Sequence, residues 1–303
     1  MPDEDRKVLE GFKDTDEYYY TVYCLGQWGV VGKSVYAAQI VTERLMQIKD
    51  RPYTAGDFVY TYENEKIVDE SIKFVENPAG MVRIYHEPKR GVPYVLGGDT
   101  AEGGKDYCTA SVRDNITWQQ MAVFQGQTDT DLYAKQMYCL GKWHNTALIG
   151  IESNYDLHPV KELERLNYPR QYYREKIDEI TKKVEYKHGF KTTKITRPAI
   201  LSKHIALARE HIDTFNDVKL LEEMLAFVRN ASGRPEAAEG QNDDLIFADA
   251  IALEIRGQQA MSINPTLPFL PGEAGRSPHF DFTTEQGRDE YEDLEDENVS
   301  FWN

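Results

Sequence analysis

One stretch of the sequence limits the possible folds more than any other, the run YVLGGDTAEGGKDYCTASV at residues 94–112. Its apolar first half ends at Asp99, and its second half alternates between apolar and polar residues. These patterns predict a buried strand, a glycine-containing connection and a second strand. A dinucleotide-binding loop would need G-x-G-x-x-G at the start of a helix, and this stretch has neither that spacing nor a helical pattern after it.

The patterns that follow extend the same sheet. Alternation resumes at 118–126 after a turn at Asp114-Asn115, a helical pattern covers 128–143, and another apolar run ends at Glu152. Three strands joined by hairpins, then a helical crossover to a fourth, predict an α/β fold with a mixed sheet. Further patterns predict a hairpin insertion at 172–193 and helices at 35–48, 159–166, 199–212, 218–230 and 242–257.

Four acidic residues fall at corresponding points of this pattern. Asp99 ends the first strand, Glu152 ends the fourth, and Asp243 and Asp244 begin the last helix. Carboxylates at the same ends of neighbouring strands converge, and they repel one another unless divalent cations lie between them. Singly, each has an ordinary interpretation as a turn former, a surface charge or a helix cap. Together they indicate a site for hard cations such as Mg²⁺ or Mn²⁺.

The same blocks resemble the nuclease domain of the large terminase subunit, part of the DNA-packaging motor of tailed bacteriophages. The resemblance is carried by residues 94–112, by IGIESN at 149–154, by GFKTTKITRP at 189–198 and by AAEGQNDDLIFADAIA at 237–252. Asn242 stands where a histidine is common in that family. The resemblance implies a ribonuclease H-like fold, a mixed β-sheet flanked by helices with a β-hairpin insertion, over residues 55–257.

The resemblance also implies a chemistry. Asp99, Glu152 and Asp243 would be catalytic and, with Asp244, would bind two Mg²⁺ or Mn²⁺ ions for phosphodiester hydrolysis. The expected activity is that of an endodeoxyribonuclease cutting concatemeric double-stranded DNA during viral genome packaging. The basic residues expected to contact the DNA backbone are Lys105, Lys191, Lys194 and Arg197. Expected partners are the portal protein and the small terminase subunit, and the expected location is the host cytoplasm, transiently at the procapsid.

The two ends of the chain are interpreted separately. The segment VYCLGQWGVVGK resembles the close of the family's ATPase domain, so residues 1–54 are expected to be an arm left from that domain. The GKS at 32–34 lacks the first glycine of a phosphate loop, because Gln27 stands there, so neither nucleotide binding nor ATPase activity is expected. Residues 258–303 combine proline and glycine with a run of acids, which predicts a disordered tail.

The composition of the chain restricts the functions and cellular environments that fit this sequence. The net charge of −16 is unfavourable for non-specific binding of nucleic acid but is compatible with a site that holds cations. The three cysteines have no metal-like or disulfide-like spacing, which predicts free thiols, and no apolar run is long enough for a membrane span. Two other functions fit parts of the pattern, another ribonuclease H-like nuclease such as a junction resolvase, and a non-enzymatic module that docks on the portal or the small subunit.

Overall fold

The structure is a computed structural model that describes residues 34–100, 107–177 and 184–259. Lys105, most of the GKS motif and the predicted tail from residue 260 lie outside the described residues. The helices are α1 (Ala38–Ile48), α2 (Thr130–Trp143), α3 (His158–Arg165), α4 (Thr196–Glu210), α5 (Val218–Ala226) and α6 (Asp244–Ile255). None of the helices within these ranges is long and apolar enough to cross a membrane.

Strands and helices follow one another from residue 94 to α5 in the order that the sequence patterns predicted, but the two strands between α5 and α6 were not predicted. The first five are β1 (Thr54–Val59), β2 (Tyr62–Glu63), β3 (Lys66–Ile67), β4 (Lys73–Glu76) and β5 (Val82–Ile84). The next four are β6 (Tyr94–Asp99), β7 (Cys108–Asp114), β8 (Gln120–Gly126) and β9 (Leu148–Ile151). The last four are β10 (Tyr173–Ile177), β11 (Val184–His188), β12 (Phe227–Arg229) and β13 (Pro235–Ala237).

The main sheet has seven strands in the order β4-β1-β5-β8-β7-β6-β9. All neighbours are antiparallel except β6 and β9, which are parallel. The parallel pair is the consequence of the crossover through α2, because a helical connection returns the chain to the same end of the sheet. The predicted fold class, a mixed α/β sheet flanked by helices, is confirmed, and β10 and β11 form the predicted hairpin.

Two cores lie on the two faces of this sheet, and β6 contributes alternate residues to both. Val95 packs with α1, α4, α5 and α6, whereas Tyr94 and Leu96 pack with α2 and α3. Such alternation follows from the two-residue period of a strand. Cys108 and Cys139 are both buried in the second core, and Cys139 is a free thiol, as the cysteine spacing predicted.

Helix α1 belongs to the first core. Val41, Leu45 and Ile48 are buried there beside residues of α4, α5 and α6. The division at residue 54 stays a prediction, but the helix before it packs on the domain that follows it. Ser34, which precedes α1, forms an isolated antiparallel β-bridge with Val228 of β12.

The two glycines of the YVLGGD motif allow close packing on opposite faces of β6. A Cβ atom at Gly97 would lie 2.1 Å from the carbonyl oxygen of Ala248 and 2.3 Å from the nitrogen of Ala252, both in α6. A Cβ atom at Gly98 would lie 2.3 Å from the hydroxyl oxygen of Tyr133 in α2. The glycines are therefore packing residues, and the backbone of α6 lies directly on the strand that ends at Asp99.

A buried polar network fixes α6 to the rest of the domain. Asp249 accepts hydrogen bonds from Arg113 Nη2 at 2.6 Å and from His204 Nε2 at 2.9 Å, and the other ring nitrogen of His204 bonds to the Tyr36 hydroxyl at 2.7 Å. Burial alone would raise the pKa of Asp249, but the Arg113 guanidinium and His204 hold it below its ordinary value. The network ties β7, α4, α6 and the entry to α1 together.

The structure differs from the sequence analysis in two places. The helix predicted over 218–230 ends at Ala226, and residues 227–229 form β12, which pairs with β13. The sequence patterns between residues 51 and 93 were too broken by prolines to assign strands, yet β1, β4 and β5 form nearly half of the main sheet. Helix α6 is buried on nearly every side, because it lies on the sheet and is covered by α4 and α5.

Candidate functional site

Asp99 and Glu152 lie side by side at one edge of the sheet. In the parallel pairing of β6 with β9, Gly98 lies opposite Ile151, so the next residue of each strand is an acid. The backbone nitrogen of Glu152 donates to the carbonyl oxygen of Gly98 at 2.9 Å, and the Asp99 and Glu152 carboxyl groups lie within hydrogen-bonding reach of each other. Glu152 is buried and Asp99 is half-buried. The structure therefore brings together the first two predicted site residues.

The charge state of this pair is unusual. Burial, then the hydrogen bond and the negative charge of Glu152, raise the pKa of Asp99 well above its ordinary value, and Asp244 and Asp243 act in the same direction. Two carboxylates this close repel each other, and a divalent cation bound between them would remove that repulsion.

The other two acids lie at the start of α6. Asp243 precedes the first helical residue, and its carboxylate is 3.5 Å from the Arg197 guanidinium. Burial raises the pKa of Asp243, and the positive charge of Arg197 opposes this. The Thr109 hydroxyl of β7 donates to the backbone carbonyl oxygen of Asp244 at 2.9 Å, which fixes the first turn of the helix to the sheet.

Glu223 of α5 is part of the same site, although the sequence analysis did not select it. Its carboxylate accepts hydrogen bonds from the backbone nitrogens of Leu245 at 2.9 Å and Ile246 at 3.2 Å. These are N–H groups of the first turn of α6, which have no partner within their own helix. Burial and then the charge of Asp244 raise the pKa of Glu223 well above its ordinary value. Glu223 therefore caps the helix that carries Asp243 and Asp244.

The residue pattern of α5 contained a signal for Glu223. Leu220, Leu221 and Met224 form the buried side of this helix, and a residue three positions after Leu220 falls on that same side. A carboxylate on the buried side of a helix requires a partner in the core.

The side chains at the site fit a divalent cation by their chemistry. Carboxylate oxygens are the ligands that Mg²⁺ and Mn²⁺ select, and four carboxylates act on one another around Asp99. The buried hydroxyl of Thr100, next to Asp99, has no hydrogen-bond partner among the described residues. In the positions observed, however, no three His, Cys, Asp or Glu side chains of the described ranges form a group able to hold a metal ion. Binding by the full predicted set stays a prediction.

The predicted DNA contacts differ in their surroundings. Lys191 and Lys194 are exposed on the loop before α4. Arg197 is half-buried, paired with Asp243, and its guanidinium carbon lies 4.0 Å from the centre of the Phe247 ring. It is therefore placed to orient Asp243, while its contact with DNA stays a prediction.

Comparison with known proteins gives matches to solved structures. No family model matches the chain, and no curated protein matches it. The large terminase nuclease of the thermophilic phage G20c with bound magnesium is 15% identical, with a TM-score of 0.49, over 74% of this chain and 97% of that one. The same nuclease with bound cobalt is 16% identical with the same TM-score and coverage.

A second phage protein gives a comparable match. The large terminase nuclease domain of Thermus phage P74-26 is 18% identical, with a TM-score of 0.44, over 70% of this chain and 93% of that one. At this identity and TM-score, the likeness assigns neither an activity nor a site residue to the chain. The family that the sequence motifs resemble is the family to which these matched structures belong.

Proposed function

We propose that this chain is a divalent-metal-dependent nuclease that cuts double-stranded DNA within a phage packaging motor. The observation that carries the proposal is the placement of Asp99 and Glu152 side by side at the ends of adjacent parallel strands, with the charges of Asp243 and Asp244 acting on Asp99. A stable protein gains nothing from four carboxylates placed so closely, because each raises the cost of ionising the others. Such a cluster is typical of a site whose ligand is positive.

Each acid has a distinct role in this proposal. Asp99 and Glu152 would hold cations from the sheet, Asp243 would do so from the helix, and Asp244 would be a fourth ligand. Two divalent cations, when bound, supply the Lewis acidity that hydrolysis of a phosphodiester requires. The protein itself holds the acids in place, through the Gly98 carbonyl for Glu152 and through Glu223 and Thr109 for the start of α6.

Basic residues next to the acids support a polyanionic substrate. Lys191 and Lys194 are exposed on the loop between Phe190, which bridges to Glu152, and the start of α4. We propose that they contact phosphates of the DNA backbone. Replacing both with alanine should weaken binding and make the salt dependence of log K shallower by about 0.9 for each lysine removed. Lys73→Ala, an exposed residue of the edge strand β4, is the matched control.

The decisive experiment measures nicking of supercoiled plasmid with Mg²⁺ or Mn²⁺ and with chelator. The isosteric variants Asp99→Asn and Glu152→Gln should lower the rate at least about a hundredfold, since even indirect partners of a metal contribute 10–100-fold. Glu76→Gln, an exposed acid on β4 at the other edge of the sheet, should cut at the normal rate. Cutting by Asp99→Asn at the wild-type rate would refute the assignment.

Melting temperatures measured with and without Mn²⁺ separate metal binding from catalysis. Millimolar Mn²⁺ should raise the melting temperature of the wild-type protein, because the ion binds the folded cluster. Asp99→Asn should lose that increase, and without metal it should melt no lower than the wild type, since it removes one charge from a repulsive group. An equal increase in melting temperature in both proteins would show that the ion binds at a site that does not include Asp99.

A further inference from the structure

Large apolar side chains are exposed on two loops beside the acidic pair. Ile195 is 83% exposed, Tyr155 is 64% exposed and Leu157 is 46% exposed. Tyr155 and Leu157 lie three and five residues after Glu152, and Ile195 lies two residues before Arg197, the partner of Asp243. Single exposed apolar residues are common, but several beside a candidate site indicate a contact surface.

The two loops are held together and held against the site. Asn154 Nδ2 donates to the carbonyl oxygen of Thr192 at 2.6 Å, and the Thr192 nitrogen donates to Asn154 Oδ1 at 3.1 Å. The Ser153 nitrogen donates to the carbonyl oxygen of Phe190 at 2.8 Å. The loop that carries Ile195 is therefore fixed to the residues that directly follow Glu152.

Hydroxyl groups make the Ile195 loop rigid. Thr193 Oγ1 accepts from the nitrogen of Ile195 at 3.2 Å and from that of Thr196 at 3.0 Å. Thr196 Oγ1 accepts from the Thr193 nitrogen at 2.8 Å and donates to the carbonyl oxygen of Lys191 at 3.0 Å. An exposed apolar side chain on a loop with this many local bonds is presented to solvent in a fixed position, so its insertion into a partner costs little ordering entropy.

The charge around Ile195 identifies the kind of partner. Lys194 precedes it, and Lys191 lies on the same loop, both exposed. An apolar side chain next to exposed lysines suits a partner whose negative charges surround apolar surfaces, and double-helical DNA has this arrangement of phosphates outside stacked bases. Apolar side chains that enter DNA between base steps unstack them and bend the duplex.

We infer that Ile195, on the loop bonded to the residues after Glu152, inserts between bases of duplex DNA next to the phosphate that is cut. The inference rests on the proposed nuclease function and adds that the protein distorts paired DNA in order to cut it. Insertion unstacks one base step, which frees the backbone on the cut strand to approach Asp99 and Glu152. Single-stranded DNA is already unstacked and does not need this step.

The experiment compares cutting of a linear duplex with cutting of one of its strands alone, in Mn²⁺, by three proteins. Ile195→Ala should cut the duplex roughly tenfold more slowly than the wild type but the single strand within about twofold of it. Ile116→Ala is the matched control, because Ile116 is also exposed, at 54%, and follows Asp114, which pairs with Tyr94 at the far end of β6 from Asp99. It should match the wild type on both substrates.

The other possible outcomes of this experiment would overturn the inference. If Ile195→Ala loses rate equally on both substrates, or behaves as Ile116→Ala does on both, the inference is overturned, and in the second case the apolar surface serves another partner such as a protein. A wild-type protein that cuts neither substrate would overturn the nuclease proposal and this inference with it. Melting temperatures of the three proteins show whether each variant is folded.

Discussion

His144, at the end of α2, is a fully buried imidazole whose protonation the fold opposes. Its Nδ1–H donates to the carbonyl oxygen of Leu140 at 2.9 Å, and its Nε2 is buried with no hydrogen-bond partner among the described residues. The ring lies edge-on to Tyr94 at 5.3 Å between centroids. Burial lowers the pKa of His144 to about 4, although the bond to Leu140 opposes the shift.

This shift predicts a loss of stability in weak acid. Between its ordinary pKa of 6.5 and the folded value of about 4, the unfolded chain binds a proton at His144 that the folded chain does not. The unfolding free energy should therefore fall as pH decreases below 6.5, by up to about 1.4 kcal/mol per pH unit from this residue. Urea unfolding between about pH 7 and pH 5 measures the slope.

The variant His144→Gln should show a shallower slope over that range, whatever its absolute stability. His211→Gln, an exposed histidine after α4, should keep the wild-type slope. Parallel curves for the wild type and His144→Gln would show that other groups cause the dependence.

At the scale of elements, the contact between α6 and β6 depends on Gly97. A methyl group there would meet backbone atoms of α6 at little more than 2 Å, and backbone cannot move aside as a flexible side chain can. Gly97→Ala should lower the unfolding free energy by about 1–3 kcal/mol or more and should reduce nicking, because Asp243 and Asp244 move with the helix. Denaturant unfolding and the plasmid assay check the two effects.

Gly257→Ala is the control for Gly97→Ala. A methyl group at Gly257 has no atom within 4 Å, so this change should leave both stability and nicking as they are. A Gly97→Ala protein as stable and active as Gly257→Ala would mean that α6 does not lie against β6 as described.

The start of α6 also depends on Glu223. Removing its carboxylate leaves two buried N–H groups without a partner, so Glu223→Ala should cost about 1–3 kcal/mol of unfolding free energy. Glu223→Gln retains an acceptor oxygen and should cost less. Hydrogen exchange at the Leu245 and Ile246 amides should quicken in Glu223→Ala and stay slow in Lys219→Ala, which changes the exposed side of α5. Equal exchange in both variants would contradict the capping role.

The elements that the sequence predicted well are those whose pattern is local. The strands β6 to β9 and the β10–β11 hairpin follow from a two-residue period and from turns, which a single segment contains. The strand β1 contains Gly56 and Asp57, residue types that are rare in strands, and β4 and β5 have only four and three residues, so no local pattern marks them. Glu223 and Arg197 were missed as partners of the acids because their contacts join segments 22 and 46 residues apart.

At the scale of the whole molecule, the last described residues, Gln258 and Gln259, are hydrogen-bonded to distant parts of the fold. The Gln259 side chain donates to the carbonyl oxygen of Tyr94 at 2.7 Å, and Gln258 donates to that of Tyr173 at 2.7 Å. These bonds join the last described residues to the beginning of β6 and to the hairpin. Residues 258 and 259 therefore contact the sheet and the hairpin, while the start of the tail at residue 258 stays a prediction.

Two truncated proteins test whether these hydrogen bonds stabilise the fold. A protein that ends at Gln259 should melt within about 2 °C of the full chain, whereas one that ends at Ile255 should melt about 4–10 °C lower, since it loses several hydrogen bonds of about 1 kcal/mol each. Calorimetry of the three proteins measures the difference. A protein ending at Gln259 that fails to fold would show that residues after it are required.

The network around Asp249 has a consequence for how the sequence can change in evolution. Arg113 and His204 both bond to its carboxylate, and all three side chains are fully buried. Replacing any one of them leaves an uncompensated charge or polar group in the core, which costs several kcal/mol, so single substitutions here are selected against. In related sequences, the residues at positions 113, 204 and 249 should therefore either all be retained or all be replaced. Where they are replaced, we expect apolar residues at all three positions.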